Sequence, residues 1–149
     1  MSIQIDNARP EEKESVVRLL KEADLLTEDL PGSLRNFLLA KQDGVLVGVA
    51  GLELFGPVGL LRSVAVSPTH QAKGIAGQLV GQLLNDADKQ ELQEVYLITT
   101  TADHYFDRYS FAPVNREHVP EAIQQTRQFS GLCPSSAVVM KRNLKHQNA

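Results

Sequence analysis

Residues His70 to Leu79 read "HQAKGIAGQL". Gly74 and Gly77 stand where a run of β-formers, "LLRSVAV", hands over to a segment with helical spacing. A structural turn there needs one glycine at most. Two glycines ahead of a helix let the backbone approach a ligand closely, and the helix start offers N–H groups and a positive dipole end. That combination suits a phosphate or pyrophosphate, with Lys73 adding charge. No Gly-Lys-Ser/Thr follows, so this is not a Walker loop, and the spacing is not G-x-G-x-x-G. On these residues alone a plain glycine turn stays open as the alternative.

Other side chains carry chemistry singly. Arg62 interrupts an apolar strand, where an arginine needs a partner. It is either a salt bridge to a nearby carboxylate or a clamp for a substrate carboxylate or oxyacid, since a guanidinium makes paired hydrogen bonds to such groups. Glu53 sits in "GVAGLELFG" and is either at a strand end in solvent or aimed into a cleft as a base acting through water. His104 has the pKa range of a base, or is a solvent-exposed histidine in a first helical turn. Thr99, Thr100, Thr101, Ser135 and Ser136 are candidates for a polar pocket lining. Cys133 is the sole cysteine. It reads as a small buried hydrophobe rather than a nucleophile, with no companion thiol and no metal site.

The elements that position these groups follow from periodicity. Ile3 and Ile5 alternate with polar residues as a first strand. "ARPEEKESVVRLLKEADL" is helical, with Pro10 early, an acidic first turn and a stripe of Val16, Val17, Leu19, Leu20 and Ala23. Two apolar runs in "FLLAKQDGVLVGVAGLELFG" flank Asp43-Gly44, a hairpin signal. "GLLRSVAV" is a strand. From Gly74 to Leu92 the spacing turns helical, through Ile75, Ala76, Leu79, Val80, Leu83, Leu84 and Ala87. "EVYLITT" is a short buried strand, "ADHYFDRYSF" a short helix and "APVNRE" extended. A helical turn or two follows Pro120, and "SAVVMKRNL" is a last strand before a frayed "KHQNA". The hairpin argues against an all-parallel sheet. A mixed sheet with helices on both faces is expected.

The chain has 149 residues, 42% of them hydrophobic, and a net charge of -3. That predicts one domain over 1–149 with a proper core. The acidic balance disfavours nucleic acid as a partner. "MSIQIDNARP" has no basic and no apolar region of a secretory signal, and no apolar run approaches the about 18 residues of a membrane span. A cytoplasmic protein without a membrane partner is expected. "PEEKE" and "NDADKQE" are solvated helix faces.

The run "VAVSPTHQAKGIAGQL" resembles the acetyl-CoA motif of the GCN5-related N-acetyltransferases, the GNAT superfamily. The motif, Arg/Gln-x-x-Gly-x-Gly/Ala, is matched by Gln71 to Ala76, with Val66-Ser67-Pro68 as the lead-in. "EVYLITT" resembles the fifth strand of that family, and "YFDRYSFAPV" its "YxxxGF" helix-to-strand signature. The likeness covers nearly the whole chain. More narrowly, "EDLPGSLRNFLLA", "LITTTADHYFDRYSF" and "FSGLCPSSAVVM" resemble short arsenic-resistance N-acetyltransferases. "LITTTADHYFDRYSFAPV" is also similar to the acetyltransferase domain of bacterial N-acetylglutamate synthase.

The resemblance implies an α/β (α+β) GNAT fold with a mixed, mostly antiparallel central sheet and helices on both faces. It implies acetyl-CoA as co-substrate. Backbone amides of Gln71, Ala72, Lys73, Gly74, Ile75, Ala76 and Gly77 would hold the pyrophosphate. Val64, Ala65 and Val66 would pair with the pantetheine arm, and the thioester would lie where this strand splays from "YLITT". The acceptor it implies is a free amino acid or an analogue, acidic ones containing arsenic or phosphorus included; read from their own chemistry, Arg62, Ser63, Thr99 and Thr100 are the candidates to contact it. Many members protonate the leaving thiolate with a tyrosine five residues before the signature phenylalanine. Counting back from Phe111 gives Phe106, which has no hydroxyl; Tyr105 is the substitute candidate, or else a core or interface aromatic, and Glu53 is the candidate base. A homodimer is left open. The rival readings are a CoA-binding domain without catalysis and an acetyltransferase for protein N-termini or lysines.

Overall fold

Asp43 and Gly44 take φ of 52° and 81°, the two left-handed residues that a two-residue hairpin turn requires. They join β2 (Phe37–Gln42) to β3 (Val45–Phe55). The computed structural model describes residues 3–25, 27, 30, 34–71, 73–99, 103–126, 129 and 137–143. Its other strands are β1 (Ile3–Asn7), β4 (Val58–Val66), β5 (Glu94–Thr99), β6 (Ala112–Pro113) and β7 (Val138–Asn143). They form one seven-stranded sheet in the order β1-β2-β3-β4-β5-β7-β6. β4 and β5 run parallel, while β1–β2, β2–β3, β5–β7 and β6–β7 are antiparallel. The mixed, mostly antiparallel sheet expected from the sequence is therefore present.

The helices are α1 (Lys13–Glu22), α2 (Ile75–Lys89), α3 (Asp103–Asp107) and α4 (Glu121–Gln124). The first predicted helix opens as a 3-10 turn at Pro10–Glu12 and stops short of the predicted Leu25. The helix predicted to reach Leu92 ends at Lys89. Both stops have the same cause. Asp24 and Glu91 take φ of 58° and 62°, and the next residue bonds back across the turn, Leu25 N–H to Leu20 C=O and Leu92 N–H to Ala87 C=O. This is the Schellman ending, with an apolar residue after the left-handed one. Ser110 (φ 67°) and Phe111 repeat it after α3. Glycine fits such positions without the steric penalty of a side chain, roughly 1–2 kcal/mol, partly offset by its greater unfolded-state entropy. Glu91→Gly is therefore expected to stabilise the fold by about 0.5–1 kcal/mol, seen as a higher urea midpoint at unchanged slope.

The chain divides into two compact units, Met1–Leu52 with Ser63–Asn85, and Glu53–Arg62 with Asp86–Ala149. In the first, strand alternation sends neighbours to opposite faces. Leu39 and Val49, paired in register, pack with Val16, Leu19 and Leu20 of α1. The adjacent pair, Ala40 and Gly48, lies under α2. A Cβ on Gly48 would stand 3.1 Å from Ile75 and 3.2 Å from Leu79, so the missing side chain is what lets α2 close on the sheet. Helices thus cover both faces here. In the second unit, Val58 and Leu60 of β4, Tyr96 of β5 and Val139 of β7 share a core with Val119 and Ile123. The β4–β5 ladder runs from Val58 opposite Glu94 to Leu60 opposite Tyr96. Among the described residues, no helix is long and apolar enough to cross a membrane.

Candidate active site

The junction between β4 and α2 is built around Gly74. After a 3-10 turn at Pro68–His70, Gln71 is extended, and Gly74 turns the chain with φ 80°. The Gly74 carbonyl accepts the first bond of α2, from Gln78 N–H at 3.1 Å. The N–H groups of Ile75, Ala76 and Gly77 precede that bond, so they belong to the turn a helix leaves unsatisfied. No acidic residue stands in the first turn of α2, and Lys73 and Gly74 are exposed. A Cβ built on Gly74 meets nothing within 4 Å. The loop is therefore open at Gly74 and stands at a positive helix end, an arrangement that could hold a pyrophosphate.

Two of the predicted residues have side chains engaged elsewhere. The Ile75 side chain is buried under the sheet contact described above. The Gln71 amide donates to the Val66 carbonyl at 3.1 Å, which pins the loop to the end of β4. On β4, Ala65 packs in the α1 core while Val64 and Val66 are half-buried. Ser63, buried in mid-strand, takes φ 58°. A left-handed residue there breaks the strand's alternation, and nothing in the sequence signals it.

Glu53 and Arg62, proposed separately from the sequence, come together. Arg62 Nη1 donates to Glu53 Oε1 at 2.8 Å. The arginine side chain is 0% exposed and the glutamate side chain 25%, so solvent and ligands reach the carboxylate first. The salt-bridge alternative for Arg62 is thus present, and its partner is the other candidate.

On α3, Phe106 is buried, edge-on to Phe111. Tyr105 and Tyr109 lie on another stripe, their hydroxyls 3.1 Å apart, with the Arg108 guanidinium 4.6 Å over the Tyr105 ring. Arg142 Nη1 donates to the Tyr109 carbonyl at 2.6 Å and closes this turn; the sequence offered no hint of that pairing. Burial, and then the Tyr109 hydrogen bond, push the Tyr105 phenol up to about 12. It stays protonated at neutral pH, as an acid must, but is a weaker acid than an ordinary tyrosine. The unfolded phenol titrates near 10. Stability linked to this group is complete below pH 10 and is lost as the pH rises through 12. Tyr105→Phe should flatten that alkaline fall when urea midpoints are followed with pH.

Thr99, half-buried, ends β5 opposite Val138. Ala72, Thr100, Thr101, Cys133, Ser135 and Ser136 lie outside the described residues, as does the side chain of His104.

A family model described as "Acetyltransferase (GNAT) family" matches residues 3–110. The amino-acid acetyltransferase of Aeromonas salmonicida is 25% identical over 116 residues, which are 74% of this chain and 26% of that protein. The protein of the same name from Escherichia coli K12 is 24% identical over 116 residues, again 74% and 26%. The chain spans about a quarter of the length of these relatives. Among solved structures, N-acetylglutamate synthase of Neisseria gonorrhoeae, in complex with coenzyme A and N-acetyl-glutamate, is similar at TM-score 0.84 and 20% identity, over 98% of this chain and 36% of that one. A Mycobacterium tuberculosis protein in complex with CoA is similar at TM-score 0.80 and 22% identity, over 95% and 99%.

Proposed function

The chain belongs to the GNAT acetyltransferase family, and from that premise we propose that it transfers acetyl from acetyl-CoA to the amine of a small molecule. The acceptor is a free amino acid or an acidic analogue of one, arsenic- and phosphorus-containing mimics included. The observation that carries the transferase reading is the junction at Gly74, whose open turn and helix start suit a pyrophosphate. The likeness to proteins named amino-acid acetyltransferases supports the acceptor class.

Acetyl-CoA supplies the activated acyl group. The amides of Gln71 to Gly77 hold its phosphates, with Lys73 adding charge, and the backbone of Val64 to Val66 lines its arm. Glu53 takes the proton of the acceptor ammonium through a water, leaving a neutral amine to attack directly, with no acetyl-enzyme. Arg62 orients Glu53. Of the two, the carboxylate is the group an acceptor ammonium can reach, and the guanidinium fixes its position and charge. Ser63 and Thr99 supply polar contacts to the acceptor. Tyr105 is the candidate donor to the departing thiolate.

Thiol release from acetyl-CoA over a panel of free amino acids, acidic analogues, peptides and polyamines tests this reading. Acidic amino acids should be the best acceptors. Arg62→Lys keeps the charge and loses the paired geometry, so it should raise their KM while sparing acetyl-CoA binding. Activity confined to peptides or polyamines would overturn the acceptor class. The buried Phe106 at the tyrosine position favours a second reading, a CoA-binding domain without catalysis. That domain would bind CoA and release no thiol with any amine.

A further inference from the structure

His70, the residue just before the pyrophosphate loop, is held at both ring nitrogens. Nδ1 is 2.9 Å from Thr69 Oγ1, and Nε2 is 2.7 Å from Gln42 Oε1. Thr69 Oγ1 is in turn 3.2 Å from Ser67 Oγ. One orientation satisfies every member. The Ser67 hydroxyl donates to Thr69, Thr69 donates to Nδ1, and Nε2–H donates to the Gln42 amide oxygen. Gln42 is the last residue of β2, beside the hairpin turn, and lies 28 residues from His70 in the chain.

A second tie reaches the same hairpin. The β2–β3 register shifts after Ala40, where Lys41 faces Leu46 and Val47 is passed over. On its other edge β3 borders β4, whose last residue is Val66. The Val47 carbonyl accepts Ser67 N–H at 2.8 Å. The start of the loop is thus tied through its backbone, and its last residue before Gln71 through a side chain.

We propose that His70 is a positioning residue. By bridging Gln42 to Thr69 it holds the 67–70 turn in register on the hairpin, so that the amides beyond Gln71 are already aimed before CoA arrives. Pre-ordering a loop raises affinity by lowering the entropy lost on binding. The proposal rests on the reading of that loop as the CoA pyrophosphate site.

Calorimetric titration of the full chain with CoA tests it, with ligand-free melting measured beside it. His70→Leu should weaken CoA binding about fivefold, the scale of one or two exposed hydrogen bonds. Gln42→Leu, remote from the loop in sequence, should do the same. The double variant should be no weaker than either, because both cut one bridge. His70→Gln, whose longer amide can reach Gln42, should recover most of the affinity. Ligand-free melting should hardly change. Normal affinity in His70→Leu, additive losses, or losses matched by falling melting temperature would overturn the proposal. Gly74→Val separates the two levels. If it weakens CoA binding while His70→Leu does not, only the positioning role fails. If it too binds CoA normally, the loop reading has failed.

Discussion

Glu53→Gln is expected to lower kcat by about a hundredfold or more, since a positioned base contributes that much to proton transfer. Acetyl-CoA affinity should be retained, because on the proposed reading the nucleotide would rest on the loop before α2. Glutamine keeps an oxygen for Arg62 Nη1, now 2.8 Å from Glu53 Oε1. Alanine would leave a guanidinium that is 0% exposed without that partner, a change that typically destabilises strongly. Melting temperature therefore has to be recorded with the rates. The deficit should narrow as the pH approaches the pKa of the acceptor amine, because less of the amine then needs a base. A pH-independent deficit would point to lost geometry, and an undiminished kcat would return the pair to a structural salt bridge.

Gly74→Val should weaken CoA binding at least tenfold. Two effects act together. The valine Cβ would project into open space, which phosphates held at this loop would need. A β-branched residue is also strained at φ 80°. Gly74→Ala carries a smaller side chain and should fall between the wild type and valine. Tenfold is about 1.4 kcal/mol, below the loss of one or two charge-assisted hydrogen bonds. Unchanged binding in a folded valine variant would reduce the loop to a turn.

Much of this was legible in the residues. Asp43-Gly44 marked the hairpin because few pairs accept two positive φ values. The helical run after Gly74 and the "QAKGIA" spacing located the junction. What escaped was conformation without a compositional mark. Ser63 at φ 58° and Glu91 at φ 62° are types with no preference for that region; Glu91 takes it to close the helix, and Ser63 within a strand. The pairing of Glu53 with Arg62 depends on β3 and β4 being consecutive strands joined by a tight turn at Gly56. The partners could be suspected one by one, but not matched. Gln42 gave no signal at all, since its contact with His70 exists only once the hairpin meets the loop. Phe106 departs from the family pattern in the sequence itself, and the structure adds that it is buried edge-on to Phe111.

The most direct test is to incubate the chain with acetyl-CoA labelled with carbon-13 in the acetyl group and a mixture of free amino acids, acidic analogues, peptides and polyamines, and to identify the labelled products by mass. The account predicts label on the amine of an acidic amino acid or analogue, none retained on the protein, and loss of the product in Glu53→Gln. Label found only on peptides or polyamines, or CoA bound with no labelled amine formed, would contradict it.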